Sequence, residues 1–340
     1  MSIWMKRAWM CARVGLLGAA LATAGCGKGE GDEFRGGVPT RDTVQLAVPG
    51  GPTSAALTAG GTAEVRSALL GERADTYTTT VAVTRAVNGG TWAVLTLVRT
   101  IIDYPPTTVQ ANTAVWGPYT EPLSLNTWRL TVTRIEANRF QWLFEARAKT
   151  DPDTAFLTII SGVHTAAVGA DGQPVQGFGS GDFTIDWDAA AQLPEHDANV
   201  GKAAFVYARP SPAAPVAIDV DFTGIRDDKT GEIHDALYRY LATPGQGGEL
   251  RYAADQDVSP GPGPTGSAKE HFTVHSRWQE TGAGRCDVQV SGGDLGTTVF
   301  GGSECWDQVF ASVYRNVPDA QGTWGAETSC AFPQADYAGI

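Results

Sequence analysis

Positive charge is scarce in this sequence: 25 Lys and Arg stand against 37 Asp and Glu, for a formal net charge of -12. An acidic surface repels phosphate backbones, which argues against nucleic-acid binding. Catalytic signatures are absent as well. No Gly-x-Ser-x-Gly elbow, His-Glu-x-x-His, Walker loop or Cys-x-x-Cys occurs, so no nucleophile, metal site or phosphate cradle is supported by motif. Gly177, Gly179 and Gly181 lack the third spacing of a nucleotide fingerprint and no βαβ unit follows them. Glycine at alternate positions instead puts all three on one face of a strand, where backbones pack closely or bend. No cofactor is expected.

What is present begins at the N-terminus. Lys6 and Arg7 precede a mostly apolar stretch that becomes Val14–Ala22 and closes on Thr23-Ala24-Gly25-Cys26. This is the order of a signal peptide, and its apolar core falls short of the roughly 20 residues that span a bilayer. The small pair Ala24-Gly25 before a cysteine resembles the lipobox of bacterial lipoproteins, with Thr23 where leucine is usual. The resemblance implies cleavage before Cys26, diacylation of its thiol and anchoring in a membrane. Gly27 in place of the aspartate that retains such proteins on the inner membrane resembles the outer-membrane members. Cleavage removes three positive charges and no acid, taking -12 to -15. Contact with the membrane is therefore expected through lipid and not through a basic patch. Residues 26–42, rich in Gly and charge, read as a flexible tether.

Of five cysteines, Cys11 leaves with the signal and Cys26 is acylated, which leaves Cys286, Cys305 and Cys330. An oxidising envelope favours one bridge among them. Cys305–Cys330 is the expected pair, because Cys330 sits in a loop-rich tail with little else to dock it. The other pairings stay open, and so does a buried free thiol at Cys286. The spacing is too wide for a three-cysteine metal site.

The body alternates apolar and polar residues with period two, the pattern of antiparallel strands with one wet face. Phe140, Trp142, Phe144 and Ala146 alternate with Gln141, Leu143, Glu145 and Arg147, and Val216, Ile218, Val220 and Phe222 with Ala217, Asp219, Asp221 and Thr223. Asn88-Gly89-Gly90 reads as a turn between strands 78–87 and 91–102, Ala137-Asn138 as one between 128–136 and 139–149, and Ala170-Asp171-Gly172 as one before 175–187. Further strands are expected at 155–165, 203–209, 235–243, 248–254, 269–278 and 283–290, ten to twelve in all. The fold class is therefore mainly β: a single large antiparallel meander sheet over residues 43–300, curled, a half-barrel or a sandwich, with a short C-terminal helix. That helix is expected over 303–314, where Trp306, Val309, Phe310, Val313 and Tyr314 share one face, within a helix-and-tail region 301–340. Residues 53–70 and 187–193 also have helical character, and 259–267 reads as a loop.

Three groups could carry chemistry. Two Asp-x-Asp pairs, Asp186 with Asp188 and Asp219 with Asp221, have the spacing of same-face carboxylates on a strand, suited to a cation or to paired acids. His271 and His275 lie four residues apart, too far on a strand for one metal ion. Eight tryptophans follow the signal and serve core packing, an apolar cavity or a sugar-stacking surface. The sequence thus points to a membrane-anchored envelope lipoprotein acting as a non-catalytic binding or structural protein. Its partners are the membrane, through acylated Cys26, and an apolar ligand or envelope component. The alternatives are a carrier of lipid or another apolar ligand, and a glycan-active hydrolase using the paired aspartates.

Overall fold

A computed structural model describes residues 31–50, 70–226, 231–257, 268–317, 322–337 and 339–340. The expected signal peptide, Cys26, the expected loop 259–267 and nearly all of the expected helix 53–70 lie outside them. Fifteen antiparallel strands among the described residues form one unclosed sheet in which spatial order follows chain order, β1 to β15. They are β1 (Thr108–Gln110), β2 (Thr113–Tyr119), β3 (Asn126–Glu136), β4 (Arg139–Ala148), β5 (Leu157–Val168), β6 (Pro174–Asp186), β7 (Lys202–Arg209), β8 (Val216–Arg226), β9 (Ile233–Thr243), β10 (Gly247–Gln256), β11 (Glu270–Gln279), β12 (Gly284–Gly292), β13 (Val299–Trp306), β14 (Ser312–Val317) and β15 (Gly322–Gly325). This is the expected meander, because each strand pairs with its neighbours in sequence, most of them across short links. Among the described residues two α-helices accompany it, α1 (Asp75–Ile102) and the single turn α2 (Trp187–Ala190), the latter within the helical segment expected at 187–193.

Residues 78–87 and 91–102 are not two strands but one 28-residue helix, α1. The Thr and Val content suggested strands, yet β-branched residues disfavour a helix only weakly and tertiary packing overrides the preference. The buried positions Tyr77, Val81, Thr84, Thr91, Leu95, Val98 and Ile102 recur at helical spacing. The hydroxyls of Thr78, Thr79, Thr80 and Thr100 donate to carbonyls four residues back, which satisfies them within the helix. Asn88, expected in a turn, donates its amide to the Leu46 carbonyl and accepts from the Leu46 N–H.

The expected C-terminal helix is replaced by the hairpin of β13 and β14. Asp307 decides this locally. Its Oδ1 accepts from the N–H groups of Val309 and Ala311, both at 2.9 Å, and Phe310 adopts φ 66°, which closes a turn in the middle of the helical pattern. The residues proposed for one helical face then separate: Trp306 and Tyr314 are buried, whereas Val309 is 76% exposed.

The expected tether is also largely folded. Asp32–Gly37 and Arg41–Thr43 form 3-10 turns, and Phe34, Val38 and Thr43 are buried. The few apolar residues in this Gly-rich stretch are enough to dock it, and the segment left without a described place is 26–30.

The chain divides into two compact units, residues 1–43 with 91–204 and residues 44–90 with 205–340. In the first, the covered face of the sheet is a set of cross-strand apolar rows. Leu130, Phe144, Ile160 and Ile185 form one row. The next is Val132, Trp142, Gly162 and Phe183, with the Trp142 and Phe183 rings 5.9 Å apart over the space that Gly162 leaves. In the second, the row facing α1 runs Ile218, Tyr240, Leu250, Ser276, Cys286, Glu304 and Arg315. It turns polar where the start of the helix meets it. Thr80 shares a 2.6 Å hydrogen bond with Ser276, and Thr76 donates both its N–H and its hydroxyl to Glu304 Oε2, at 2.8 and 2.7 Å. A buried carboxylate from a distant strand thereby meets the positive end of the helix dipole. By length and composition alone α1 could cross a bilayer, but these contacts are those of a helix packed on a sheet.

Candidate functional site

The first aspartate pair ends β6 and closes a loop. Asp186 Oδ1 accepts from the Ala189 N–H at 2.9 Å and so caps α2, while its other oxygen meets Lys202 Nζ at 2.7 Å. Burial opposes its ionisation, but Lys202 and the Ala189 amide outweigh burial and hold the carboxyl below its ordinary range. Asp188 Oδ1 accepts from the Gly201 N–H at 2.8 Å, and the Trp187 N–H donates to the Gly201 carbonyl at 3.0 Å. The two carboxylates thus clasp the base of the 187–201 excursion.

The second pair lies on the wet face of β8. Asp219 and Asp221 both face Arg239 of β9, at 3.7 and 2.6 Å, and each side chain is more than half exposed. Among the described residues, no group of three or more His, Cys, Asp and Glu is placed to hold a metal ion.

The histidines take separate roles. His271 is an exposed partner of Asp255 at 2.8 Å. His164 is buried on β5, and desolvation pushes its pKa down to about 4. Gly179 makes room for it: a Cβ there would come within 2.6 Å of the His164 ring and 2.5 Å of the Thr165 carbonyl, and its φ is 152°. At Gly179 this is the close packing expected of the alternate glycines. His275, 2% exposed, lies between two carboxylates, Nε2 3.0 Å from Glu249 and Nδ1 3.3 Å from Asp336.

His275 belongs to the densest charge cluster in the second unit, on the face of the sheet opposite α1. One row across β10–β13 is Arg251, His275, Asp287 and Ser303, and the next is Glu249, Arg277, Arg285 and Cys305. The C-terminal tail covers them. Arg285, 1% exposed, donates to Asp287 at 2.7 Å, to Glu327 at 2.8 Å, to Ser303 at 3.0 Å and to the Phe332 carbonyl at 3.1 Å. Burial works against its charge, and the bonds to Asp287 and Glu327 more than compensate, so its pKa rises. Arg277 joins Asp287 to the Gln334 carbonyl, both at 2.8 Å, and the Asp336 N–H returns to Asp287 at 3.0 Å. Cys305–Cys330 is formed, with Cα atoms 5.5 Å apart, and Cys286 is a buried free thiol whose pKa desolvation raises to about 12.

Chemically this cluster is a clasp. Each carboxylate is matched by guanidinium, imidazole or backbone N–H, and the tail lies over it, so it neutralises buried charge instead of presenting it to a substrate. Sequence reasoning found the disulfide but not the ion network. Arg285, Asp287, Gln289 and Ser291 make one face of β12 polar, which in sequence reads like any wet strand face and gives no sign that the tail covers it. The tryptophans serve packing first: Trp116, Trp142, Trp278 and Trp306 are buried. No protein family, curated protein or solved structure matches the chain.

Proposed function

We propose that the chain is a bacterial envelope lipoprotein, acylated at Cys26, sorted to the outer membrane, and carrying a non-catalytic binding or structural β body. The observation that carries the reading is the order of basic start, apolar run and Ala24-Gly25-Cys26. The bridge Cys305–Cys330 supports it, since such a structural disulfide persists in an oxidising compartment. The non-catalytic part is supported by the carboxylates themselves, which are engaged in a cap, a loop clasp, surface ion pairs and a tail clasp.

The test is detergent-phase partitioning of the full chain made in a Gram-negative host, beside Cys26→Ala. The native chain is expected in the detergent phase and C26A in the aqueous phase. Equal partitioning of the two would refute acylation. Phospholipid retained at a fixed ratio by C26A would move the reading to a lipid carrier.

A further inference from the structure

The C-terminal tail is pinned at Cys330 by the bridge to Cys305 and lies against the sheet as far as Tyr337. Past the bridge it is held at separate points. Phe332 gives its carbonyl to Arg285 and its ring to the Arg277 guanidinium, 5.1 Å from the centroid. Arg277 also donates to the Gln334 carbonyl, and the Asp336 N–H donates to Asp287. Tyr337 rests its ring on Gly301 and brings its hydroxyl within 3.2 Å of Ser303. None of these contacts uses a group that changes charge near neutral pH. His275 is the exception.

Its ring has a carboxylate on each side, Glu249 of β10 at Nε2 and Asp336 of the tail at Nδ1. The protonated ring donates to both, whereas the neutral ring carries one N–H and turns a lone pair toward one of them. Arg251 does not replace the missing donor, because its Nη2 stands 3.7 Å from Glu249 and 3.9 Å from Asp336. The charges around the ring point the same way. The ion pairs of the cluster join four carboxylates, Glu249, Asp287, Glu327 and Asp336, with three guanidinium groups, Arg251, Arg277 and Arg285. Arg239, the next cation in the row, is engaged by Asp219 and Asp221. A proton on His275 therefore balances the cluster, and its loss leaves one negative charge in excess. The Glu249 and Asp336 side chains are each about one third exposed, at 35% and 36%, so water can take over their bonds and the contact can part without stranding a buried charge.

We propose that His275 is a proton-operated latch on the C-terminal tail. Protonated, it ties Asp336 to Glu249; on giving its proton to solvent it releases residues 334–337, while the disulfide keeps the start of the tail in place. Release uncovers Arg277, Asp287 and Ser303 on the face of the sheet. The tail is closed at lower pH and opens as pH rises, over a range in which the carboxylates stay ionised.

The experiment is hydrogen exchange of the full, disulfide-intact chain between about pH 5.5 and about pH 8.5, corrected for the intrinsic pH dependence of exchange, with the His275 ring signals followed by NMR over the same range. Protection of the peptide covering 331–340 should fall about tenfold across the range, as loss of one hydrogen bond to a charged group implies, with the midpoint at which the ring titrates. A peptide from β4 should keep its protection, which separates release of the tail from unfolding. In His275→Gln and in Asp336→Asn the tail should be as weakly protected at low pH as the native tail is at high pH, with no pH dependence left. Tail protection that does not fall in the native chain, or falls with a midpoint other than that of the ring, would overturn the latch; so would an equal fall in either folded variant. The native comparison stands by itself if both variants fail to fold.

Discussion

The two units bury their sheets by opposite chemistry. In the first, rows such as Leu130, Phe144, Ile160 and Ile185 need only apolar neighbours, and the hydrophobic effect holds them without exact partners. In the second, β10–β13 are covered on both faces, and the face under the tail is ionic: Arg251, His275, Asp287 and Ser303 in one row. Burial of that kind is tolerable only when every partner arrives, and here partners come from as far along the chain as Glu327 and Asp336. The difference teaches that the apolar face tolerates variation in its lining, while the ionic face ties the position of the tail to particular side chains.

The largest effect expected from breaking this contrast is at Arg285. Arg285→Ala takes the guanidinium from buried Asp287 and from Glu327, leaving Asp287 with Arg277, Ser303 and the Asp336 N–H, and should cost about 2–4 kcal/mol, read from a urea-unfolding midpoint. A loss near that of a surface substitution would show that the tail does not depend on the network.

The first unit carries its own buried polar group, His164, and it sharpens the comparison by pH. Its folded pKa of about 4 lies below the ordinary 6.5, so between those values the unfolded chain binds the extra proton. The stability it permits is full above about pH 6.5 and falls as pH drops toward 4, by about 3 kcal/mol. Unfolding of the native chain and of His164→Phe at several pH values would separate this slope from that of the carboxylates; parallel slopes in the two proteins would contradict the assignment.

Smaller effects are expected at the aspartates. Asp186→Ala removes the α2 cap and should cost about 1 kcal/mol, with faster proteolysis in 187–201 as the local readout. Asp219→Asn with Asp221→Asn should change stability by less than about 0.5 kcal/mol, because these acids pair in solvent. A loss of several kcal/mol would place them in a network the geometry does not contain.

Legibility in the sequence followed the same division. Period-two alternation located β4, β8 and the strands between because each has one dry face. It failed at α1, where threonine and valine imitate a strand and only the seven-residue recurrence of Tyr77, Thr84 and Thr91 betrays the helix. It failed again at 303–314, where the turn made by Asp307 outweighs an i, i+3, i+4 pattern. Cys305–Cys330 was legible because few cysteines leave few pairings. The clasp around Arg285 was not, since it depends on a tail that returns across four strands. The docking of residues 31–43 is hidden because composition averaged over 26–42 conceals Phe34 and Val38, which are buried.

The central claim meets its most direct test in the intact mass of the mature chain extracted from membranes. The account predicts an N-terminus at Cys26 carrying two or three acyl chains, and a mass two hydrogens below that of the fully reduced chain, for the Cys305–Cys330 bridge. A start at any other residue, or a bare Cys26, would contradict it.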